Sequence, residues 1–306
     1  MLAVGGNALA PAGVGSNEEQ EALARRVADI AVGMLDGGRR LLLVHGNGPQ
    51  VGALALAQEA VARELPPQPL SVLGAMTQGQ IGFLLGSAIG NALAEAGLPH
   101  GVSSLVTQVV VAADDPAFDA PSKPIGPFFP EGRARRLADA RDWTVAEDAG
   151  RGWRRVVPSP RPIEVVEAPE VARLLASHEV VIAAGGGGVP VVRDAAGLRG
   201  VEAVIDKDYS AALLGKVVGA TELVLLTGVE RVALDFGTPS ERTISEMTVA
   251  EARTHLSDGQ FPAGSMGPKV DAAIGFVEVT GGSAVITNLE SGPDAIVGRS
   301  GTRVIP

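Results

Sequence analysis

The stretch LLLVHGNGPQVGAL, residues 41–54, indicates the fold of this chain more directly than any other. Its first five residues, Leu41–His45, are almost continuously apolar, which is typical of a strand buried on both faces of a parallel sheet. Glycine, asparagine and proline follow the strand, and a helical pattern begins at Gln50. In such a unit the turn lies at the carboxyl edge of the sheet, where α/β proteins bind their ligands.

The same alternation of short apolar runs and helical patterns continues along the chain. The predicted strands are Leu2–Val4, Leu41–His45, Val102–Val106, Val109–Ala113, Val180–Ala184, Leu223–Leu226 and Ala284–Thr287. The predicted helices are Glu18–Leu35, Gln50–Glu64, Met76–Ala96, Pro169–Ser177, Asp208–Val218, Val249–Leu256 and Pro268–Val279. Ser16–Glu19 and Thr248–Glu251 fit the capping box that begins helices. The pattern predicts an α/β fold with a mostly parallel sheet covered by helices on both faces.

Composition excludes several classes of function. Of 306 residues, 46% are apolar and only 3% aromatic, so we expect one large aliphatic core. The net charge of −10 argues against nucleic acid and anionic membrane surfaces as partners. Cysteine is absent, which excludes disulfides and thiolate metal sites. We see no signal peptide, and the most apolar long run, Ile81–Ala94, looks too short and too polar to cross a membrane, so we expect a cytoplasmic protein.

One segment, Asp114–Pro162, interrupts the alternation. It is rich in proline and arginine and contains Lys123 and both tryptophans, Trp143 and Trp153. Long segments of this kind inside a compact domain are often functional. We predict that residues 114–162 form an inserted lid or protruding subdomain; the alternative is an ordinary long surface insertion.

Lysine usage indicates a candidate site. The chain has 25 basic residues, of which four are lysines and the rest arginines. Lys123, Lys207 and Lys269 lie in glycine- and proline-rich or acidic contexts, whereas Lys216 lies within a predicted helix and should be a surface charge. Because lysine is a compact point charge on a flexible stem, it suits contact with phosphate oxygens. Either folding brings the three lysines together around phosphate, or they are scattered loop residues.

Three glycine-rich turns follow predicted strands, where we expect a helix to begin. They are Gly5-Gly6-Asn7, Gly46-Asn47-Gly48 and Gly185–Gly188. Backbone N–H groups of such turns and of helix N-termini bind anions, so three turns at one sheet edge predict a phosphate or carboxylate site. Taken singly, each is better explained as a tight turn that needs glycine. Neither a P-loop nor a G-x-G-x-x-G motif is present.

Asp206-Lys207-Asp208 ends an apolar run and begins a predicted helix. The two carboxylates could orient Lys207 or share a metal held by a nucleotide, or they could simply favour the helix N-terminus. The four histidines show no metal-ligand spacing, so we predict no protein-bound metal. His45 should order its own loop.

Nine stretches between residue 3 and about residue 279 carry a family resemblance. In chain order they are AVGGNAL, VHGNGPQVG, LGAMTQGQIGF, DDPAFDAPSKPIGPF, EDAGRGWRRVVPSPRP, AAGGGGVPVV, GVEAVIDKD, LLTGVERVALDFGTP and GQFPAGSMGPKVDAAIGFVE. Together they resemble the carbamate kinases of the amino-acid kinase superfamily. Within that superfamily, the parts PSKPIGPF and GRGWRRVVPSP are specific to carbamate kinases.

The resemblance implies an αβα sandwich over residues 1–306, with a protruding lid, as a homodimer. It implies reversible phosphoryl transfer between ATP and carbamate, giving ADP and carbamoyl phosphate. Mg²⁺ would be carried mainly by the nucleotide. The usual direction in such families is catabolic, making ATP, as in arginine metabolism.

The resemblance also implies the site residues. Its catalytic groups fall on Lys123, Lys207, Lys269 and Asp208, with Asp206 beside them. Its substrate-binding loops fall on Gly5, Gly6, Asn7, Gly46, Asn47 and Gly48. Its nucleotide-binding positions fall on Thr227, Val229, Val232, Gly264, Met266, Gly267 and Lys269.

The chain departs from the family pattern at a few positions. Ser122 stands where threonine is usual, Asp142 where glycine is usual, and Tyr209-Ser210 where a smaller or aliphatic pair is usual. The family also usually has several residues before the first strand. Two other functions stay open: a kinase of another small carboxylate or carbamate, and a non-catalytic nucleotide-binding sensor.

Overall fold

The computed structural model describes residues 1–5, 15–35, 38–148, 150–177, 179–262 and 266–306. Two short 3₁₀ turns lie at Pro116–Phe118 and Gly185–Gly187. The helices are α1 (Asn17–Gly33), α2 (Gly48–Ala60), α3 (Leu70–Glu95), α4 (Glu131–Arg141), α5 (Ala168–Ala176), α6 (Lys207–Val218), α7 (Val249–Ser257), α8 (Met266–Thr280) and α9 (Gly292–Ile296). The strands are β1 (Leu2–Val4), β2 (Leu42–His45), β3 (Val102–Ser104), β4 (Gln108–Val111), β5 (Lys123–Phe129), β6 (Thr144–Glu147), β7 (Trp153–Val157), β8 (Pro162–Val165), β9 (Val180–Ile182), β10 (Val189–Asp194), β11 (Gly197–Gly200), β12 (Glu222–Thr227), β13 (Ala233–Leu234), β14 (Arg242–Thr243), β15 (Glu246–Thr248), β16 (Ser283–Asn288) and β17 (Thr302–Ile305).

An eight-stranded sheet forms the centre of the molecule, in the order β15-β17-β16-β12-β1-β2-β9-β3. Its neighbouring strands run parallel except at the β16–β17 pair, which is antiparallel. The predicted α/β fold with a mostly parallel sheet is confirmed. The carboxyl ends of β1, β2, β9 and β12 therefore meet at one edge, and the predicted glycine-rich turns follow the first three of these strands.

Alternate residues of the central strands face two different helix layers. Leu2 and Val4 of β1 pack with α1 and α3, whereas Ala3 packs with the layer that contains α5, α6 and α8. Strands buried on both faces need apolar residues at every position, which is why they appear in the sequence as continuous apolar runs. Both predicted capping boxes, at Ser16 and Thr248, are present at the starts of α1 and α7.

A second, four-stranded sheet has the order β11-β10-β4-β8. The sequence predicts a strand at Val109–Ala113 like the others, but the corresponding strand β4 pairs with β10 and β8 outside the central sheet. The turn Gly185–Gly188 also differs from the expected pattern, because β10 follows it instead of a helix. Residue 188 has a φ of 91°, a value that glycine alone adopts readily, and the chain leaves the turn in an extended direction.

Strands β5, β7 and β6 form a three-stranded antiparallel sheet in that order, with α4 packed against it. Phe129, Ala134 and Trp143 make a small apolar cluster of their own, against which Trp153 also packs. Helix α4 was not predicted, because Ala134 is its one buried residue and it shows no apolar stripe.

Helix α2 packs directly on this small sheet. Gly52 of α2 lies so close to Gly126 of β5 that a Cβ added at position 52 would stand 2.0 Å from the Gly126 nitrogen. The Glu59 carboxylate, at the other end of α2, accepts hydrogen bonds from Arg141, Trp143 and Arg155 at 3.0, 3.3 and 3.0 Å. Backbone contact and a multiply bonded carboxylate therefore join α2 and the three-stranded sheet.

Helix α3 begins at Leu70, earlier than the predicted start at Met76. It is therefore longer than the apolar run Ile81–Ala94, which the sequence indicates is too short to cross a membrane. By length and apolar composition it would cross a bilayer, but half of its most apolar window is buried inside the protein. Ile81, Leu85, Ile89 and Leu93 pack against α1 and the central sheet. The core therefore accounts for the apolar residues on the buried face of α3.

We predict that Gly52→Ala lowers the free energy of unfolding, by about 1–3 kcal/mol, because the added methyl group meets the Gly126 backbone. Gly79→Ala in α3 is the matched control: a Cβ there has nothing within 4 Å. The control should gain up to about 1 kcal/mol from helix propensity. Urea unfolding of both variants measures the difference, and a Gly52→Ala protein as stable as the control would contradict the packing of α2 on β5.

Candidate active site

A cavity of about 1040 Å³ opens at the carboxyl edge of the central sheet. It is bordered by the ends of β1, β2 and β12, the N-termini of α2, α6 and α8, and the start of β5. Most predicted site residues line it: Gly5, Gly46, Asn47, Gly48, Lys123, Asp206, Lys207, Asp208, Thr227, Val229, Met266 and Lys269.

The three predicted lysines meet around two carboxylates. The Lys207 and Lys269 ammonium groups contact the two oxygens of Asp208, Oδ1 at 2.7 Å and Oδ2 at 2.9 Å. Lys123 reaches across from β5 and donates to Asp206 Oδ2 at 2.5 Å. Three ammonium groups around two carboxylates leave one net positive charge, so the cluster can attract an anion although the whole chain is acidic.

The start of α6 fixes these groups. Asp206 is the N-cap residue, and its Oδ1 accepts a hydrogen bond from the Asp208 N–H at 3.0 Å. Ser210 Oγ donates to the Gly187 carbonyl oxygen at 2.7 Å, which ties the first turn of α6 to the turn after β9. Asp206 therefore caps the helix and holds Lys123 at the same time, whereas Lys207, which we expected the two carboxylates to orient, pairs with Asp208.

Burial and mutual charge shift the pKa values of the cluster. Burial would raise the pKa of both Asp206 and Asp208, but the surrounding lysines outweigh it and hold both values below the usual range. Burial lowers the pKa of Lys207 to about 8, although Asp208 opposes the shift. The pKa of Lys269 is raised, because Asp208 and Asp206 outweigh burial there. Of the two lysines that contact Asp208, Lys207 thus loses its proton more easily than Lys269.

Contacts with neighbouring elements fix the backbone of the turn after β2. The Gly46 N–H donates to the Val4 carbonyl oxygen at 2.8 Å, and Asn47 Nδ2 donates to Thr77 Oγ1 at 2.9 Å. Gly48 begins α2, so backbone N–H groups of the first turn of that helix border the cavity. Such groups suit an anionic ligand.

The turn after β9, the third of the predicted glycine-rich turns, also borders the cavity, although the resemblance did not place it among the substrate-binding residues. Gly186 lines the cavity with a φ of 64°, and a Cβ there would lie 2.3 Å from Asn47 Nδ2. Glycine is therefore required both by the backbone conformation and by the close approach of Asn47. The run of four glycines was the signal in the sequence.

His45 is buried beside the cavity as a neutral group. Its Nδ1 lies 3.2 Å from the Gly46 carbonyl oxygen, and burial lowers its pKa to about 4. Among the described residues, no group of three or more Asp, Glu or His side chains converges to hold a metal ion. A Mg²⁺ ion that arrives on nucleotide phosphates would fit this site, since Mg²⁺ keeps water and phosphate ligands and needs few from protein.

Two predicted nucleotide-site residues do not line the cavity. Val232 is part of the core, and its N–H donates to Thr302 Oγ1 at 2.8 Å, which turns the residue inward. Gly267 is buried behind Met266, with its N–H donating to the Pro262 carbonyl oxygen. Gly6, Asn7 and Gly264 lie outside the described residues. Cavity residues that sequence analysis did not select include Arg26, Asp148, Arg151, Arg154, Arg231, Phe236, Glu241, Phe261 and Glu290.

Comparison with known proteins gives a consistent result. The amino acid kinase family model matches residues 2–288. A Thermococcus kodakarensis protein named carbamate kinase is 48% identical over the whole chain and 98% of its own length. Two solved structures of Giardia lamblia carbamate kinase each cover 99% of this chain and 97% of their own. The one bound to citric acid has a TM-score of 0.94 at 40% identity, and the one bound to AMP-PNP a TM-score of 0.88 at 41% identity. The chain therefore belongs to the amino acid kinase family and, within it, to the carbamate kinases.

Proposed function

We propose that the protein transfers a phosphoryl group reversibly between ATP and carbamate, and that the cell uses it to make ATP from carbamoyl phosphate. The observation that carries the proposal is the meeting of Lys123, Lys207 and Lys269 from three different elements around Asp206 and Asp208. Full-length relatives with the carbamate kinase name support the same reaction.

The chemistry needs positioning and charge neutralisation more than proton transfer. Carbamate is already an oxyanion, so its attack on phosphorus requires no general base, and the neutral, buried His45 is not needed as one. Charge on the transferred phosphoryl oxygens must be balanced by preorganised cations. We assign Lys207 and Lys123 to the two sides of the transferred group and Lys269 to the nucleotide phosphates.

The aspartates and glycine turns serve these cations and the acceptor. Asp208 orients Lys207 and Lys269, and Asp206 orients Lys123, so the ammonium groups are held in place before substrate arrives. Backbone N–H groups of residues 5–7 and 46–48 bind carbamate or its phosphorylated form. When bound with the nucleotide, Mg²⁺ neutralises phosphate charge.

Residues 114–162 form the lid in this proposal. The segment carries Lys123 on β5 to the cavity, and in the structure Lys123 already reaches Asp206 on α6. Helix α2 packs on β5 and begins at Gly48, in the turn of residues 46–48 that we assign to the acceptor and call the acceptor turn. The lid and the acceptor turn therefore belong to one contiguous structural unit. We infer that closure and opening of the lid govern access to the acceptor side.

Cytoplasmic location, a place in arginine metabolism and a homodimeric state complete the proposal. The first two rest on the resemblance to carbamate kinases. An apolar face on α3 supports the third: Val72, Met76 and Phe83 are exposed, and Phe83 is 70% exposed. Exposed apolar residues along one helix face are typical of a protein interface.

A coupled assay tests the reaction directly. Carbamoyl phosphate and ADP should give ATP with the wild-type protein. Acetyl phosphate in place of carbamoyl phosphate tests the open alternative of another small acceptor. A protein that binds ADP but makes no ATP from either donor would be the nucleotide sensor.

Lys207→Ala should lower kcat by about 10²–10³, because one preorganised charge at the transferred group is worth that much. ADP binding, measured by calorimetry, should change little, because Lys269 and the Thr227 region remain. Lys216→Ala is the control, as that lysine is exposed on the far part of the same helix. Near-normal turnover of Lys207→Ala would remove Lys207 from the mechanism.

The rate should fall at alkaline pH. Since burial lowers the pKa of Lys207 to about 8, raising the pH through that value removes the ammonium charge needed at the phosphoryl group. We predict a falling limb in the pH profile of kcat/KM for carbamoyl phosphate, with an apparent pKa near 8 in the free enzyme.

Lys207→Arg provides the check on this assignment. Arginine keeps its proton throughout the range, so any residual activity of that variant should lack the limb. A limb unchanged in Lys207→Arg would assign the titration to another group.

The lid can be followed by fluorescence. Trp143 and Trp153 are the two tryptophans of the chain and both lie in this segment, so emission reports on it alone. ADP plus carbamoyl phosphate should change the emission and slow hydrogen exchange in residues 123–157. If saturating ligands leave both signals unchanged, a lid that moves on binding is the wrong description.

A further inference from the structure

Arg154 is a buried arginine in the cavity wall that the assignments above leave without a role. It lies on β7, in the proposed lid, and is only 4% exposed. It lines the cavity together with Lys123 and Gly48. Burying a guanidinium group is costly unless its hydrogen bonds are satisfied, so its contacts need an explanation.

Two hydrogen bonds and a ring fix the orientation of this side chain. Arg154 Nε donates to the Gly126 carbonyl oxygen at 2.9 Å, and Nη1 donates to Asp148 Oδ2 at 3.0 Å. The guanidinium carbon stands 5.0 Å from the centre of the Phe128 ring. The group is therefore held in one orientation before any ligand binds, as binding sites require.

The remaining nitrogen has no partner. Arg154 Nη2 is buried and makes no hydrogen bond with any described residue. It points toward the acceptor turn, since a Cβ added at Gly48 would lie 3.9 Å from it. Leaving a buried donor of a charged group unpaired is costly, and such unpaired groups in a native structure are typical of functional sites.

We propose that Arg154 is a binding and specificity residue for the carbamoyl end of the substrate, with Nη2 donating to a carbamoyl oxygen. Asp148 then acts as a positioning residue through its bond to Nη1. The inference rests on the proposed function. It adds a residue of the lid that binds the carbamoyl group instead of the phosphoryl group.

The placement of charges favours the carbamoyl end over the phosphoryl group. Lys123, Lys207 and Lys269 are already gathered around Asp206 and Asp208, where the phosphoryl group would be bound. Arg154 instead adjoins Gly48 at the start of α2. A planar guanidinium matches the planar carbamate group better than an ammonium group does.

The test compares Arg154→Gln and Arg154→Lys with Arg155→Gln. Arg155 is the neighbouring residue of the same strand, but its side chain pairs with Glu59 of α2. Each variant is assayed for ATP synthesis from carbamoyl phosphate and ADP, with KM measured for both substrates and unfolding followed by heat.

We expect both Arg154 variants to raise the KM for carbamoyl phosphate at least about tenfold, since a hydrogen bond from a charged group contributes about 1.5–3 kcal/mol. The KM for ADP should stay within about twofold of wild type, because the proposed contact of Arg154 is with the carbamoyl group and not with the nucleotide. Arg155→Gln should leave both KM values near wild type.

Three outcomes would overturn the inference. One is a wild-type KM for carbamoyl phosphate in Arg154→Gln. Another is an equal rise in both KM values together with a lowered unfolding temperature, which would indicate a purely structural residue. If Arg154→Gln does not fold, Arg154→Lys decides, because lysine cannot hold Gly126, Asp148 and the ligand at once; a wild-type KM in that variant contradicts the proposal.

The assay of the wild-type protein distinguishes a failure of the proposed function from a failure of the role of Arg154. A wild-type protein that makes no ATP from carbamoyl phosphate refutes the proposed function. An active wild type with unaffected Arg154 variants refutes only the role of Arg154.

Discussion

The buried Asp208 carboxylate is the contact on which the rest of the site depends. One oxygen holds Lys207 and the other holds Lys269, so a single side chain fixes the separation of two ammonium groups from two helices, α6 and α8. Burial by itself would lower the pKa of both lysines, and Asp208 opposes that shift at each of them. Removing Asp208 would leave both ammonium groups without this partner, and an uncompensated buried charge is strongly destabilising. The central sheet and its two helix layers serve to bring the start of α6 and the start of α8 together at one edge.

The opposite wall of the cavity is a separate packing unit. Gly52 and Gly126 allow the backbones of α2 and β5 to touch. At the far end of α2, Glu59 bonds Arg141 at the end of α4, Trp143 just before β6, and Arg155 on β7. This unit contributes Lys123 and Gly48 to the cavity. The two walls meet through the ion pair between Lys123 and Asp206, whose carboxylate also caps α6. A phosphoryl group entering the site would compete with Asp206 for Lys123, which couples ligand binding to the contact between the walls.

Sequence patterns predicted the central sheet, most of the helices and the three lysines, because each depends on local composition. Continuous apolar runs identify strands buried on both faces. The lysines are recognisable from the sequence alone because they are few in a chain whose other basic residues are arginines. The four-stranded sheet was missed because β4 has the same apolar pattern as the central strands, and no pattern states which strand it pairs with. Arg154 was missed for a related reason. It stands beside Arg155 and three residues after Arg151, and only the fold shows that one of these arginines is buried with an unpaired nitrogen.

The fold gives a physical reason for the residue at two of the positions that sequence analysis noted as departures from the family pattern, Asp142 and Tyr209. Asp142 ends α4 with a φ of 53°, a left-handed conformation in which glycine carries no penalty and aspartate is among the few other residues tolerated. The Tyr209 hydroxyl donates to Asp271 at 3.0 Å, and the Arg161 guanidinium stands 3.6 Å from the Tyr209 ring centre while also pairing with Asp271. Tyr209 directly follows Lys207-Asp208 on α6, and Asp271 lies two residues after Lys269 on α8. A smaller residue at position 209 could not make this link, so the chain joins the two lysine-bearing helices twice: once inside the cavity through Asp208, and once outside it through Tyr209 and Asp271.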